Sequence, residues 1–260
     1  MTRTPLALAN WKMAVTVAGG LAFARDLQRL AGDLLAHVDV VICPAYTALW
    51  PIAQALGGSR LQLGGQNIAP ADDLARTGEI SAAQLADAGC RWVMLGHWEV
   101  RRHLGDDDAA VNRKVHLALA AGLAPAILIG PAREEQGPLA DLLGGRLARV
   151  LAGCDPAQIG RMAFIYEPEL AIGRDAPAAA AEVAGGCALI RGWLRAKLGA
   201  EAAEGARIIY GGSVAPEYAG ALLAAPDVDG LGAGRQGRDP ATFAAIVRQV
   251  ARAKVRYTTL

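Results

Sequence analysis

Cysteine is scarce in this chain, and no two cysteines are close together. The four are Cys43, Cys90, Cys154 and Cys187, so no C-x-x-C pair supplies a zinc ribbon or a redox dithiol. Separated thiols of this kind fit buried, reduced side chains, and the expected location is cytoplasmic. Charge of either sign is not in excess: 26 basic residues face 25 acidic ones, a net charge of +1. With no basic stripe, nucleic acid is not an expected partner. No G-x-G-x-x-G follows the first apolar run, which speaks against a dinucleotide fold. No cluster of metal ligands appears, and neither a metal nor a cofactor is expected. Asn10 and Lys12 interrupt the N-terminal stretch before a signal-peptide core can form. The run Val115–Ala132 lacks formal charge, but Gly122, Pro125, Gly130 and Pro131 break it. It reads as a helix end, a turn and a buried strand, so no membrane is expected as a partner. No linker or low-complexity segment divides the chain, which is read as one domain over residues 1–260.

What is present is core material. Hydrophobic residues make up 53% of the 260 and charged residues 20%, which excludes a mainly disordered chain. Short apolar runs alternate with longer stretches of helical spacing. The predicted strands are Leu6–Ala9, Val38–Cys43, Leu61–Gly65, Trp92–Leu95, Ala126–Ile129, Met162–Tyr166, Arg207–Tyr210 and Val228–Leu231. Helical spacing covers Ala18–Leu35, Ala109–Ala121, Leu139–Ala152, Ala178–Leu198, Pro216–Leu223 and Ala241–Ala253. Asp106, Asp107 and Asp108 precede the second of these, at the positive end of its dipole. Eight strand–helix units over this length point to an α/β fold, a closed (β/α)8 barrel of parallel strands ringed by helices. An open doubly wound sheet is the alternative.

In such a barrel the chemistry sits at the C-terminal strand ends. Strand one ends in Asn10-Trp11-Lys12, where a lysine can hold an anion or remain an ordinary surface cation. Strand four ends in Gly96-His97-Trp98-Glu99, and a helix start there would keep His97 neutral as a donor to a carbonyl; a structural histidine is the alternative. His37, His103 and His116 read as surface residues. Strand six ends in Tyr166-Glu167-Pro168. Proline holds the preceding residue extended, which directs Glu167 to the barrel mouth as a candidate base; the alternative is a carboxylate paired with arginine. Gly173 in the following loop, Gly211-Gly212-Ser213 after strand seven and Gly230 to Gly234 after strand eight let backbone N–H groups approach a phosphate. A base, an electrophile, a cation and an anion cradle suffice for proton transfer between adjacent carbons of a small phosphorylated substrate.

The segments Asn10-Trp11-Lys12-Met13, Gly65-Gln66-Asn67, Thr77-Gly78-Glu79-Ile80-Ser81, Leu95-Gly96-His97, Tyr166-Glu167-Pro168, Ala171-Ile172-Gly173, Tyr210-Gly211-Gly212-Ser213-Val214 and Asp229-Gly230 resemble, in order and spacing, those of the triosephosphate isomerase family. The resemblance covers essentially the whole chain. It implies interconversion of dihydroxyacetone phosphate and glyceraldehyde 3-phosphate through an enediolate. Glu167 would move the proton, His97 would polarise the carbonyl, and Lys12 would stabilise negative charge, positioned by Asn10. Glu99 would orient these groups. Gly173, Ser213 and Gly234 would bind phosphate, with Arg235 beside them. Thr77 would lie on a loop reaching a partner's site, which implies a homodimer. The segment from Glu167 to Gly173 would close as a lid.

The chain also departs from the family. Trp98 stands where a serine is usual, Glu169-Leu170 where the lid has valine–tryptophan, and Arg174-Asp175 where it has threonine–glycine. Val100 replaces the arginine that usually supports the dimer contact, Pro131 a glutamate, and Arg235 a glycine. Trp98 beside Glu167 would shift its pKa by desolvation. If these changes alter specificity, the substrate is another short ketose phosphate, such as erythrulose phosphate; a non-catalytic phosphate-binding relative is the remaining alternative.

Overall fold

Strands that are apolar on both faces need cover on both sides, and a ring of parallel strands inside a ring of helices provides it. The computed structural model describes residues 3–73 and 75–254; the ends of the 1–260 reading lie outside the described residues. Its strands are β1 (Leu6–Asn10), β2 (Asp39–Cys43), β3 (Gln62–Gly65), β4 (Trp92–Leu95), β5 (Ala124–Ile129), β6 (Ala163–Tyr166), β7 (Arg207–Gly211) and β8 (Gly230–Ala233). They form a closed barrel in sequence order, every neighbouring pair parallel. β1 closes on β8, with Leu6 opposite Gly230 and Ala9 opposite Ala233.

The helices are α1 (Val17–Ala31), α2 (Tyr46–Ala55), α3 (Ala82–Asp87), α4 (Trp98–Leu104), α5 (Asp108–Ala120), α6 (Leu139–Val150), α7 (Pro156–Ile159), α8 (Ala180–Leu198), α9 (Ala200–Gly205), α10 (Pro216–Leu223) and α11 (Pro240–Lys254). Asp107 caps α5, accepting from the Ala110 N–H at 2.7 Å. Alternate residues divide between two packed layers. Leu6, Leu8, Val41, Met94, Leu128, Ile165 and Ile209 fill the barrel, whereas Ala7, Ala9, Val40, Ile42, Val93, Ile127 and Ile208 meet the helices. Each leucine so buried contributes roughly 2 kcal/mol by removal from water.

The run Val115–Ala132 becomes the end of α5, a turn and β5, as its glycines and prolines predict. Three local expectations change. The helix expected over Ala18–Leu35 stops at Ala31 and continues as a 3₁₀ turn over Gly32–Ala36. The last strand starts at Gly230 rather than Val228, because the Asp229 carboxylate is taken by Arg191 and the Ile208 N–H. Gly230 then packs on the Leu6 carbonyl, where a Cβ would clash. Helix α4 begins after His97 as expected, whereas α2, α3, α7 and α9 fall in stretches with no predicted element: most are too short to show a period, and Pro51 interrupts α2. Among the described residues no helix is long and apolar enough to cross a membrane.

Candidate active site

The segment after β1 is held by side-chain hydrogen bonds. Trp11 is fully buried and donates its indole N–H to the Gly237 carbonyl at 2.9 Å. Lys12 then adopts φ +51°, a conformation non-glycine residues seldom take. Asn10 Oδ1 accepts the Lys12 N–H at 2.9 Å, and Gln66 Nε2 donates to the Lys12 carbonyl at 2.7 Å. These bonds hold the strained turn and bring the ammonium group into the barrel mouth, where it pairs with Glu99. Burial pushes the Glu99 carboxyl up, but the Lys12 hydrogen bond and charge outweigh it and leave the pKa below the ordinary value.

His97 follows Gly96 and caps α4. Its Nδ1 accepts the Glu99 backbone N–H at 3.1 Å, which leaves the proton of a neutral ring on Nε2, facing the cavity. Its pKa is lowered to about 4, by burial first and by the Lys12 charge second. The ring is therefore neutral near pH 7, with burial as the larger cause where the sequence suggested the helix start.

Glu167 continues the β6 ladder, its N–H donating to the Ile129 carbonyl at 2.9 Å. Burial raises its pKa to about 7 against the opposing charge of Lys12. Its Oε2 is buried without a hydrogen-bond partner and stands 3.8 Å from His97 Nε2. The pairing with arginine considered as the alternative belongs instead to Glu169, whose carboxylate meets Arg102 at 2.6 Å and Arg133 at 2.5 Å. The Arg102 hydrogen bond is the largest influence on Glu169 and brings its pKa down to about 2.

The opposite wall is backbone. Gly173 has φ +74° and Gly212 φ +126°, and Ser213 has φ +48°. Among the described residues, Lys12 and Ser213 are the two non-glycine positions with positive φ, and both line the same cavity. The Ser213 hydroxyl lies 2.8 Å from the Arg174 carbonyl and 3.1 Å from that of Ala171, and the Ala178 N–H donates to the Tyr210 hydroxyl at 3.0 Å. The loop after β6 is thereby seated on the end of β7.

A cavity of about 390 Å³ is lined by Asn10, Lys12, His97, Glu99, Glu167, Gly173, Ser213, Gly234 and Arg235. Of the predicted site residues only Thr77 is elsewhere, exposed on the loop after β3. Trp98 and Glu169 do not line the cavity, whereas Arg235 does. The Trp98 indole turns outward from the site among Arg101, Arg102 and Arg146, and its N–H is donated to the Glu167 carbonyl at 3.0 Å. Sequence reasoning passed over Gln66 as a support for Lys12, although Gly65-Gln66-Asn67 directly follows β3. It also passed over Arg174 and Arg238 in the cavity wall.

The family model described as triosephosphate isomerase matches residues 5–250. A triosephosphate isomerase from Symbiobacterium thermophilum is 43% identical, with 98% of this chain and 100% of the relative aligned. The one from Nitratidesulfovibrio vulgaris is 40% identical, with 93% of this chain and 98% of the relative aligned. Among solved structures, triosephosphate isomerase from Bartonella henselae superposes with a TM-score of 0.84 at 32% identity, covering 96% of this chain and 99% of the other.

Proposed function

This chain belongs to the triosephosphate isomerase family, and we propose that it interconverts dihydroxyacetone phosphate and glyceraldehyde 3-phosphate with Glu167 as the base. The observation that carries the assignment is a buried carboxylate with a pKa near 7 facing a neutral imidazole across 3.8 Å. Glu167 takes the proton from the hydroxyl-bearing carbon of the ketose. The C–H electron pair forms the C=C bond of the enediolate, and the carbonyl π pair moves onto oxygen. His97 Nε2–H donates to that oxygen, and Lys12 stabilises its charge. His97 relays the remaining hydroxyl proton to the former carbonyl oxygen, the carbonyl re-forms on the first carbon as the aldehyde, and the C=C electron pair takes the proton of Glu167 at the neighbouring carbon, so the step consumes no oxidant or reductant. Gly173, Ser213 and Gly234 would present N–H groups to the phosphate, and Arg235 a cation. Excluding water under the loop after β6 protects the enediolate from phosphate loss.

The homodimer is part of this reading. Met13 after β1, Trp50 on α2 and Thr77 on the loop after β3 are exposed on three successive units; Met13 is 96% exposed. A second copy covering these residues would remove apolar surface from water. A concentration-independent monomer mass by light scattering would refute it. The chain is proposed to act as one barrel in a reducing, cytoplasmic compartment, where its four free thiols stay unpaired.

The test is a steady-state assay with dihydroxyacetone phosphate and erythrulose phosphate side by side, on the wild type and on Glu167→Gln. Triose turnover that Glu167→Gln abolishes supports the assignment. Near-wild-type turnover by the variant removes Glu167 as base. Arg235 in the cavity wall supports the four-carbon alternative, and turnover of tetrulose alone would establish it. Failure on both substrates, with retained phosphate binding, would make the protein a binding relative.

A further inference from the structure

Glu167 is bonded to its surroundings through its backbone as well as facing the cavity through its carboxylate. Its carbonyl accepts the Trp98 indole N–H at 3.0 Å, and Trp98 immediately follows His97. The same carbonyl lies over Gly130, where any Cβ would collide with it. Two residues on, the Glu169 N–H donates to the Pro131 carbonyl at 3.1 Å. The Glu169 carboxylate is buried between Arg102 on α4, at 2.6 Å, and Arg133 after β5, at 2.5 Å; it also accepts the Arg133 backbone N–H at 2.9 Å. The Arg146 guanidinium lies 4.9 Å from the Trp98 ring centroid and donates to the Gly130 carbonyl.

We infer that Trp98, together with the Arg102–Glu169–Arg133 cluster, is a positioning device that fixes the Glu167 peptide between the ends of β4 and β5 and so sets the direction in which the base leaves the backbone towards His97. The placement matters because Glu167 Oε2 is buried with no hydrogen-bond partner to hold it. Arg102 serves both anchors, since its guanidinium lies 6.0 Å from the Trp98 ring and bonds Glu169. The three arginines, Trp98 and Glu169 therefore act together. The anchored part ends at Glu169, and the next residue, Leu170, is 58% exposed.

This inference rests on Glu167 being the base, and its test separates the two. Trp98→Phe removes the N–H and keeps a ring for the arginines. Arg133→Ala removes one exposed arm of the cluster and carries little folding risk, its side chain being 61% exposed. Each is measured by steady-state kinetics across pH, by a ¹³C NMR titration of Glu167 and by thermal unfolding. The expected result for Trp98→Phe is a kcat about tenfold lower with KM little changed, the scale on which a misplaced group slows catalysis. The Glu167 titration and the acid limb of kcat/KM should both move below about 7, since a freed carboxylate gains water. Lys12, His97, Glu99 and Tyr210, the charged or titratable groups that bear on it, are unchanged in the variant. Arg133→Ala should move both in the same direction by less. An unmoved Glu167 titration in both variants, whatever happens to stability, overturns the inference. Because the NMR titration needs no turnover, it decides the matter even if triose phosphate proves not to be the substrate.

Discussion

His97 Nε2 and Glu167 Oε2 are 3.8 Å apart, near one another but beyond hydrogen-bond distance. Burial moves the two groups in opposite directions, lowering the imidazole to about 4 and raising the carboxylic acid to about 7. Between those values the imidazole is neutral and the carboxyl increasingly ready to accept a proton as pH rises. A proton donor and a proton acceptor can thus coexist side by side without neutralising one another, and a carbonyl and its adjacent carbon fit between them.

The acid limb of kcat/KM reports the base of the free enzyme. It should lie at about pH 7, above the ~6 of a phosphate group's second ionisation. A limb at the ordinary carboxylate range would show that Glu167 is solvated and is not held as described. His97, neutral throughout this range, should contribute no limb above pH 5.

Lys12 acts on three groups, and its removal should be visible on each. Its charge lowers the pKa of Glu167, of His97 and of Glu99. In Lys12→Met the acid limb should move above pH 7 and the Glu99 titration should rise. Loss of a cation aimed at developing charge should cost about 10²–10³ in kcat. A variant with wild-type kcat and an unmoved limb would return Lys12 to the status of a surface lysine.

Gly211 tests how finely the base is placed. A Cβ there would sit 3.1 Å from Glu167 Oε1 and 2.9 Å from Ile165 Cγ2. Its φ is outside the left-handed region, so Gly211→Ala alters space rather than backbone conformation. The carboxylate must shift, and kcat should fall by about ten- to a hundredfold. A wild-type kcat in this variant would contradict this geometry.

The barrel was legible because a buried parallel strand is an apolar run and its neighbours have helical spacing. The strand ends were legible too, since Pro168 after Glu167 and the glycines after β7 and β8 have local conformational meaning. What supports them is written at a distance. Glu169 meets Arg102 across 67 residues of sequence and Arg133 across 36. No window of spacing contains such a pair, so Trp98 and Glu169 stood out only as departures from a familiar pattern. The later start of β8 was hidden for a similar reason: Asp229 is recruited by Arg191, 38 residues away.

The raised pKa of Glu167 also makes a claim about stability. Relative to an unfolded carboxyl at its ordinary value of 4.5, the folded group at about 7 holds its proton more tightly. Its contribution to stability is fully present below pH 4.5 and is lost as pH rises through 7, where burial of the ionised form becomes a liability. Glu167→Gln stays neutral at every pH and keeps the shape. It should therefore unfold at higher denaturant than the wild type at pH 8, by an amount on the order of 1–3 kcal/mol. The advantage should shrink as the pH is lowered towards 5. Chemical denaturation of both proteins at the two pH values checks the sign. A variant less stable than the wild type at pH 8 would mean that the ionised carboxylate gains more from Lys12 than it loses by burial, and the assignment of a pKa near 7 would fall with it.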